Sequence, residues 1–469
     1  MNVYPEKNVL SDSGYTDEKN MEKNLTTGSV FKNLIFFSLP YLLSYFLQTL
    51  YGMADLFVVG QFNATDSITG VSIGSQIMHM VTVMIVGLAM GATVTIGRSV
   101  GANERKAASR YIGNTVTLFM LGSVALAALL LVFVRSIVSV MSTPAQAVES
   151  TVDYLTICFI GIPFITAYNI ISSIFRGLGD SKSPMYFIAI ACVCNIGLDY
   201  LFIGALKMGP SGAALGTTLS QTISVIISLI VIRKTNTEIK LTKEDFILKN
   251  DTIGNILRIG IPVSLQDGFI QISFIIITII ANRRGLNDAA AVGIVEKIIS
   301  FLFLIPSSML SSISALGAQN IGAGKPHRAK LTLRYDIILI ICSGVAVIGV
   351  VQLIAPQLVA MFDDSPEVVR LGTQYLRSYV VDYLFAGIHF CMSGYFCAIE
   401  KSGISFLHNS ISIVFARVPI SYIASIKFPA TLFPMGCAAP CGSLLSTVIC
   451  VIAYIVINKK EKTEDFQNG

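Results

Sequence analysis

Asp55, Asn195 and Asp199 are the residues whose types and spacing most directly suggest chemistry, because each lies inside an apolar run. A charge at bilayer depth costs about 2.5–3.5 kcal/mol on insertion scales, so an acid there must face a cavity, a partner or an ion. Asn195 and Asp199 are four positions apart, which stacks them on one helical face. A carboxylate and an amide oxygen pointing the same way can coordinate a dehydrated monovalent cation, or the carboxylate can take a proton. If Asp55 approaches Asp199, the repulsion between them favours a shared proton or a bound cation. Either choice couples the chain to an ion gradient, and one charge moved through 100 mV supplies about 2.3 kcal/mol.

A second polar set follows in the other half of the chain: Asp267, Gln271, Glu296, Lys297, Asp382, His389 and Arg417. Glu296 and Lys297 are adjacent in sequence and so point to different azimuths, which predicts pairing across helices, with Arg417 accepting Asp382 or Glu296. His79, His389 and His408 read as histidines hydrogen-bonded inside a bundle, and no metal site is expected from them. Motifs for hydrolytic or nucleophilic chemistry are missing: there is no phosphate loop ending in Lys-Ser/Thr, no paired His on a zinc-binding helix and no nucleophile elbow. An enzyme and a cofactor are therefore not expected. The nine cysteines fall mainly within apolar runs, without zinc-ligand spacing, and read as small core residues.

The elements that must position these residues are legible from composition. Of 469 residues, 53% are apolar and only 13% charged, where soluble domains carry about 25%. A bilayer span takes about 20 mostly apolar residues. Apolar runs near 32–57, 69–96, 112–134, 151–175, 184–206 and 211–232 fill the first half, and runs near 256–282, 289–316, 332–355, 372–398, 403–426 and 436–458 fill the second. The expected fold is thus all-α and integral to the membrane. Its divisions are a cytoplasmic tail (1–30), an N-lobe of six spans (31–233), a cytoplasmic inter-lobe loop (234–254), a C-lobe of six spans (255–458) and a C-terminal tail (459–469). Residues 1–30 hold no continuous apolar core of a signal peptide.

Lys and Arg mark the orientation. Arg98, Arg105, Lys106 and Arg110 follow span two, Lys234, Lys240, Lys243 and Lys249 follow span six, and Lys325, Arg328 and Lys330 follow span eight. These loops read as cytoplasmic, with Arg283 and Arg284 the exception, and both termini then lie inside a cell inner membrane. The net charge of +5 is scattered through loops rather than gathered on one face, so no nucleic-acid partner is expected. Trp is absent, and an interfacial aromatic belt would be built from Tyr, such as Tyr41, Tyr51 and Tyr154.

An offset of about 221 residues aligns the two halves. Phe37-Ser38-Leu39-Pro40 falls on Ile259-Gly260-Ile261-Pro262, Gly101-Ala102 on Gly322-Ala323, and Phe175 to Ser181 on Phe396 to Ser402. Six spans per repeat return the chain to the same side, so the two six-helix lobes are parallel and related by a pseudo-two-fold along the membrane normal. That arrangement suits a transporter rocking two halves about a central cavity.

Together these motifs resemble the multidrug and toxic compound extrusion (MATE) family, in its bacterial and archaeal DinF-like branch, over residues 28 to 458. The resemblance rests on Ser38-Leu39-Pro40 with Leu47-Gln48 and Asp55, on Pro163-Phe164, Asn169 and Arg176-Gly177-Leu178-Gly179-Asp180, and on Pro184, Asn195 and Asp199. It continues through Gly209 to Thr217, Gly260-Ile261-Pro262 and Gly317-Ala318-Gln319-Asn320-Ile321-Gly322. It implies a twelve-helix antiporter, likewise monomeric, expelling amphipathic and often cationic organic compounds in exchange for Na⁺ or H⁺. The family's N-lobe cation site falls on Asp55, Asn195, Asp199 and Thr217, with Tyr154, Asn169 and Gln48 in the supporting polar network. Where another branch places a C-lobe carboxylate on span seven, this chain has Ile270, and Asp267 and Asp382 lie about a turn away from the family positions, so ion coupling is expected in the N-lobe. A lipid-linked precursor flippase of the same paired-lobe plan is the alternative, but a diphosphate head group calls for more cavity cations than Lys297 and Arg417.

Overall fold

The structure is a computed structural model that describes residues 23–62, 65–141, 143–234 and 239–468. Helices follow the apolar runs. The N-lobe is α1 (Val30–Phe62), α2 (Thr65–Gly101), α3 (Arg105–Val140), α4 (Val148–Gly177), α5 (Lys182–Asp199) and α6 (Gly209–Lys234). The C-lobe is α7 (Asn250–Asn282), α8 (Leu286–Leu302), α9 (Leu304–Gly322), α10 (Pro326–Ala360), α11 (Pro366–Tyr379), α12 (Asp382–Ala398), α13 (Ser402–Ser412), α14 (Val418–Lys427), α15 (Phe433–Gly436) and α16 (Ala438–Asn468). Among the described residues eleven segments are long and apolar enough to cross a membrane, and twelve when α11 and α12, bent by 41° at their junction, count as one span. Lengths of this order cover a hydrocarbon core of about 30 Å. Residues 1–22, with the tail lysines Lys7 and Lys19, lie outside the described residues.

The C-lobe spans are more broken than the hydropathy runs predict. The run 289–316 is interrupted at Phe303, between α8 and α9. Pro306 has no N–H to donate, so the Leu302 carbonyl loses its helical partner there. The run 403–426 changes to π-helical bonding over Ile413–Arg417, where the Val418 N–H reaches back to the Ile413 carbonyl. A matching π segment, Tyr200–Ala205, follows Asp199 in the N-lobe. Such insertions turn the side chains beyond them to a new azimuth and occur often at functional sites.

The two-fold relation is visible in residue pairs 221 positions apart. Gly101 packs so tightly on the Gln319 carbonyl that a Cβ would sit 2.0 Å from it, and Gly322 packs on the Arg98 carbonyl at the same 2.0 Å. Arg98 and Gln319 are themselves equivalent under the offset, so the axis passes between these crossed helix ends. The positive-φ positions repeat as well: Asn103 with Gly324, and Gly179 with Glu400. At this end the lobes are sealed. Arg98 pairs with Glu400 at 2.6 Å, and Gln319 Nε2 donates to the Gly177 carbonyl at 3.0 Å.

The segment before α1 straps the same seam. Lys23 N–H donates to the Leu178 carbonyl at 3.0 Å, Leu25 N–H to Gln319 Oε1 at 3.3 Å, Lys325 Nζ to the Thr26 carbonyl at 3.0 Å and an Arg328 nitrogen to the Gly28 carbonyl at 3.0 Å. One short stretch thus bonds to both lobes.

Arg284, an exception to the charge asymmetry, has a local task. Its guanidinium pairs with Asp288 at 2.9 Å and donates to the carbonyls of Ser425, Phe428, Pro429 and Thr431, satisfying the free end of α14. All three tyrosines expected in an interfacial belt are elsewhere: Tyr41 is buried beneath Arg176, with the guanidinium 4.1 Å from its ring, Tyr154 is buried among N-lobe helices, and Tyr51 faces the space between the lobes. A phenol that finds a polar partner inside gains more there than at the headgroup level.

The inter-lobe loop is anchored on α3 by Asn114 and by Thr117, whose Oγ1 donates to the Phe246 carbonyl at 2.8 Å. Asn114 Nδ2 donates to the carbonyls of Asp245 at 2.8 Å and Ile247 at 3.0 Å, and its Oδ1 accepts from Lys249 N–H at 2.8 Å. The Thr242 backbone N–H, bonded to the Asp245 carboxylate, holds that carboxyl below its ordinary range. Because the pKa is lowered on folding, this turn is stabilised at neutral pH and loosens as pH falls through the lowered value. Asn114→Ala is expected to lower stability by about 1–3 kcal/mol, since it orphans buried loop groups. A thermal melt in detergent checks this, and an unchanged midpoint would contradict the anchoring role.

Candidate functional site

Between the lobes lies a cavity of about 550 Å³, large enough for a drug-sized molecule. Its N-lobe wall carries Gln48, Tyr51, Asp55, His79, Tyr154 and Thr217, and its C-lobe wall carries Asp267, Gln271, Tyr379, Asp382, His389 and Arg417. Phe274, Phe303, Phe390, Met78 and Met90 supply apolar surface, adaptable enough to accept varied shapes.

Behind the N-lobe wall the polar residues of α1, α5 and α6 converge. Thr217 Oγ1 donates to Asp55 Oδ2 at 2.8 Å. Asp55 also faces Asn195 and Asp199, and both of those are fully buried. Asp55 Oδ1, both Asp199 oxygens and both polar atoms of Asn195 nonetheless lack a well-formed hydrogen bond. Two carboxylates and an amide held together with unmet polar atoms form a donor set that a small monovalent cation or a proton would complete. The same set is oxygen-rich and free of sulfur and imidazole, which suits an alkali cation rather than a transition metal. Among the described residues no cluster of three or more His, Cys, Asp or Glu suited to a metal ion occurs.

Local sequence explains the convergence. Asn195 and Asp199 end α5 just before the π segment, so the last α-helical turn aims both at α6. There Gly216 faces them: a Cβ at this position would lie 2.1 Å from Asp199 Oδ1 and 3.6 Å from Asn195 Nδ2. The glycine therefore makes the room that the acid occupies. Gly216→Ala is expected to push the Asp199 carboxylate aside and cut ion-driven transport at least tenfold while the protein still folds, because a one-carbon clash against a side chain is relieved locally. Transport at the unsubstituted rate would show that Asp199 does not need this geometry.

The supporting residues divide. Tyr154 shares a 3.1 Å hydrogen bond with Ser75 and stands near Asp55, and Gln48 lies on the cavity wall. Asn169 is buried but spends its amide on the carbonyl of Ile165, in its own helix, at 2.8 Å. Tyr51, expected in the interfacial belt, and Gln221, which the sequence does not single out, touch each other near Asp55. Tyr51 precedes Asp55 by four residues, so helical spacing was the available signal.

The C-lobe set departs from expectation. Neither Asp382 nor Glu296 forms an ion pair with Arg417. The Arg417 guanidinium instead donates to the Tyr379 hydroxyl at 2.5 Å and lies over the Phe274 ring at 4.6 Å. Glu296 accepts from Thr278 at 3.3 Å, and Lys297 is exposed. The reason is geometric: the π segment ending at Arg417 turns its side chain toward α7 and α11, away from carboxylate contact. His389 and His408 are neighbours, with ring centroids 5.3 Å apart, and His408 Nε2 shares a 2.8 Å hydrogen bond with Ser393. Asp267 lines the cavity without joining the N-lobe group.

Two parallel six-span lobes around an inter-lobe cavity, with a cluster of buried acids in the N-lobe wall, define a membrane transporter. The MatE family model matches residues 40–201 and again 262–423, one match for each lobe, and the chain belongs to this family of multidrug-efflux transporters. Among relatives, the Bacillus subtilis (strain 168) "Probable multidrug resistance protein YoeA" is 25% identical over 92% of this chain and 95% of its own. "Probable multidrug resistance protein YpnP" of the same organism is 29% identical over 86% of this chain and 90% of its own. A solved structure described as "Outward-facing conformation of a multidrug resistance MATE family transporter of the MOP superfamily" superposes with a TM-score of 0.86, at 22% identity, over 93% of this chain and 98% of that one.

Proposed function

We propose that this chain is a secondary antiporter that exports amphipathic organic compounds, often cationic, in exchange for Na⁺ or H⁺, by alternating access of its two lobes. The observation that carries the reading is the buried group of Asp55, Asn195, Asp199 and Thr217, in which Asp55 Oδ1, both Asp199 oxygens and the Asn195 amide lack hydrogen-bond partners and which meets the cavity through Asp55 and Thr217. Substrate in the cavity and an ion on the buried acids share one wall, so occupancy of one alters the energy of the other. Coupling of this kind is a free-energy difference between two sites, and it is reciprocal.

The sealed end carries Arg98, Arg105 and Lys106, which the excess of positive charge puts at the cytoplasm of a cell inner membrane, with both chain ends inside. The cavity then faces outward in this state. An ion entering from outside would neutralise the acids and release substrate, and the neutralised lobe would then reopen toward the cytoplasm.

The test is efflux of a fluorescent organic cation from proteoliposomes under independently imposed sodium and pH gradients. Efflux driven by one gradient and not the other identifies the coupling ion. Efflux indifferent to both would refute antiport.

A further inference from the structure

Three consecutive apolar side chains of the inter-lobe loop stand exposed outside the spans. Phe246 closes the short turn Lys243–Phe246, and Ile247 and Leu248 follow it; all three are exposed, Ile247 at 62%, and so is Leu241 just before the turn. A contiguous apolar run left to water is costly and marks a surface that something covers. The packing beneath fixes its direction. Gly113 lets the loop lie so close to α3 that a Cβ there would stand 2.3 Å from the Asp245 carbonyl. Asn114 and Thr117 take the carbonyls of Asp245, Phe246 and Ile247, and the Asp245 carboxylate turns back to Thr242. The polar groups of the loop are thus spent on the protein, and its apolar side chains are presented outward.

Their depth says what covers them. α3 is a peripheral span with little of its length buried in the bundle. After Arg110 its next charge is Arg135, which is exposed and paired with Glu149 at 2.9 Å, and an exposed charged pair belongs outside the hydrocarbon. Thr117 precedes Arg135 by 18 residues, about 27 Å along a helix, and a hydrocarbon core is about 30 Å thick. Thr117 therefore stands at the opposite boundary of the bilayer, and the loop bonded to it lies at the same depth. Lysines complete the pattern: Lys240, Lys243 and Lys249 are exposed around the apolar run, and within residues 240–249 Glu244 is the one exposed acid. Apolar side chains turned to the acyl boundary, with lysines reaching headgroup phosphates, are the arrangement of a segment that lies in the interface.

We propose that residues 241–249 form an interfacial anchor whose partner is the lipid leaflet at the sealed end of the molecule. Phe246, Ile247 and Leu248 enter the boundary between headgroups and acyl chains, and Lys243 and Lys249 meet lipid phosphates. The loop between the lobes is then no free tether in water. It holds the N-lobe at a fixed depth, and α7 starts directly from it at Asn250, so the join between the lobes is tied to the bilayer. This anchor depends on the membrane-spanning fold alone and stands whether or not the lobes carry out antiport.

The chain contains no Trp, so a single introduced indole reports its surroundings without background. Ile247→Trp is made in the full-length protein in phosphatidylcholine nanodiscs, and its emission is followed with phosphatidylcholine brominated on the acyl chains and with aqueous iodide. Lys106→Trp is the reference for water, because Lys106 is exposed on the first turn of α3, about 16 Å along the helix from Thr117. Brominated lipid should cut the Ile247→Trp emission by about half or more and leave Lys106→Trp nearly unchanged, and iodide should act at least threefold more strongly on Lys106→Trp. Bromine near the headgroup should quench Ile247→Trp more than bromine near the chain end, as a boundary position requires. Iodide quenching equal to that of Lys106→Trp, with no effect of brominated lipid, would overturn the anchor. Protection from both quenchers would overturn it too, and would mean that a second copy or another protein covers this face. Leu248→Trp, read against the same outcomes, decides if the first variant does not fold.

Discussion

Asp199→Asn is expected to reduce gradient-driven efflux from proteoliposomes to the level of empty vesicles, with the protein still folded in the membrane. The substitution keeps the shape of a side chain that is fully buried and removes only its charge and its capacity to hold a proton. With one carboxylate left, the group can no longer bind a cation with the charge that two acids supply. Each ion moved through 100 mV contributes about 2.3 kcal/mol, or roughly fiftyfold of substrate gradient, and that contribution is what the variant should lose. Stability should hold or rise, because Asp199 carries two oxygens without hydrogen bonds, and an uncompensated buried acid is a cost to the folded state. A melting curve separates the two effects. Undiminished efflux from a folded Asp199→Asn protein would remove Asp199 from the coupling mechanism.

Gly322→Ala should act on the opposite feature, the sealed end. The added methyl would stand 2.0 Å from the Arg98 carbonyl, and a backbone atom in a packed helix cannot rotate out of the way. Only separation of the lobes relieves the clash, so the closed arrangement at this end is penalised directly. Shifting a two-state balance from 99:1 to 1:99 takes about 5.5 kcal/mol, and overpacking costs of 1–3 kcal/mol or more are typical, enough to move the population substantially. The expected result is at least a tenfold rise in maleimide labelling of a cysteine introduced at Ala315, which is buried beside this seam, in a background without native cysteines, together with loss of transport. Gly254→Ala is the control, since nothing lies within 4 Å of its Cβ position. Labelling equal to that of the control would mean that the seam does not move in transport. The strap from Lys23 to Ser29 bonds to both lobes at this place, so opening must also release it.

The arrangement joins these two predictions. The acids sit in the N-lobe behind one cavity wall, and the seam lies at the end that carries the positive loops. Rigid lobes pivoting about an inter-lobe cavity allow a change at one to bias the other without a continuous chain of contacts, provided that both favour the same one of two states. The axis relating Gly101 and Gly322 supplies such a pivot. Symmetry is kept at the seam and broken at the sites: the N-lobe gathers Asp55, Asn195, Asp199 and Thr217, whereas the C-lobe holds Arg417 against Tyr379.

The amino-acid sequence by itself determined the spans, their number and the doubling of the chain, because these depend on local properties. An apolar run long enough to cross a bilayer must satisfy its own backbone groups and becomes a helix, and Gly101 and Gly322 align by counting alone. It also determined that Asn195 and Asp199 share a face, since helical spacing is fixed. Tertiary structure decided which side chains meet across helices: that Thr217 bonds to Asp55, that Gly216 clears the space for Asp199, that Asn169 turns to its own helix, and that Arg417 takes a tyrosine rather than an acid. Those outcomes depend on helix rotation and on two π segments that shift azimuth. Hydropathy is blind to rotation, because a change of one residue in helical phase leaves the average composition of a span the same while sending every side chain beyond it to a different neighbour.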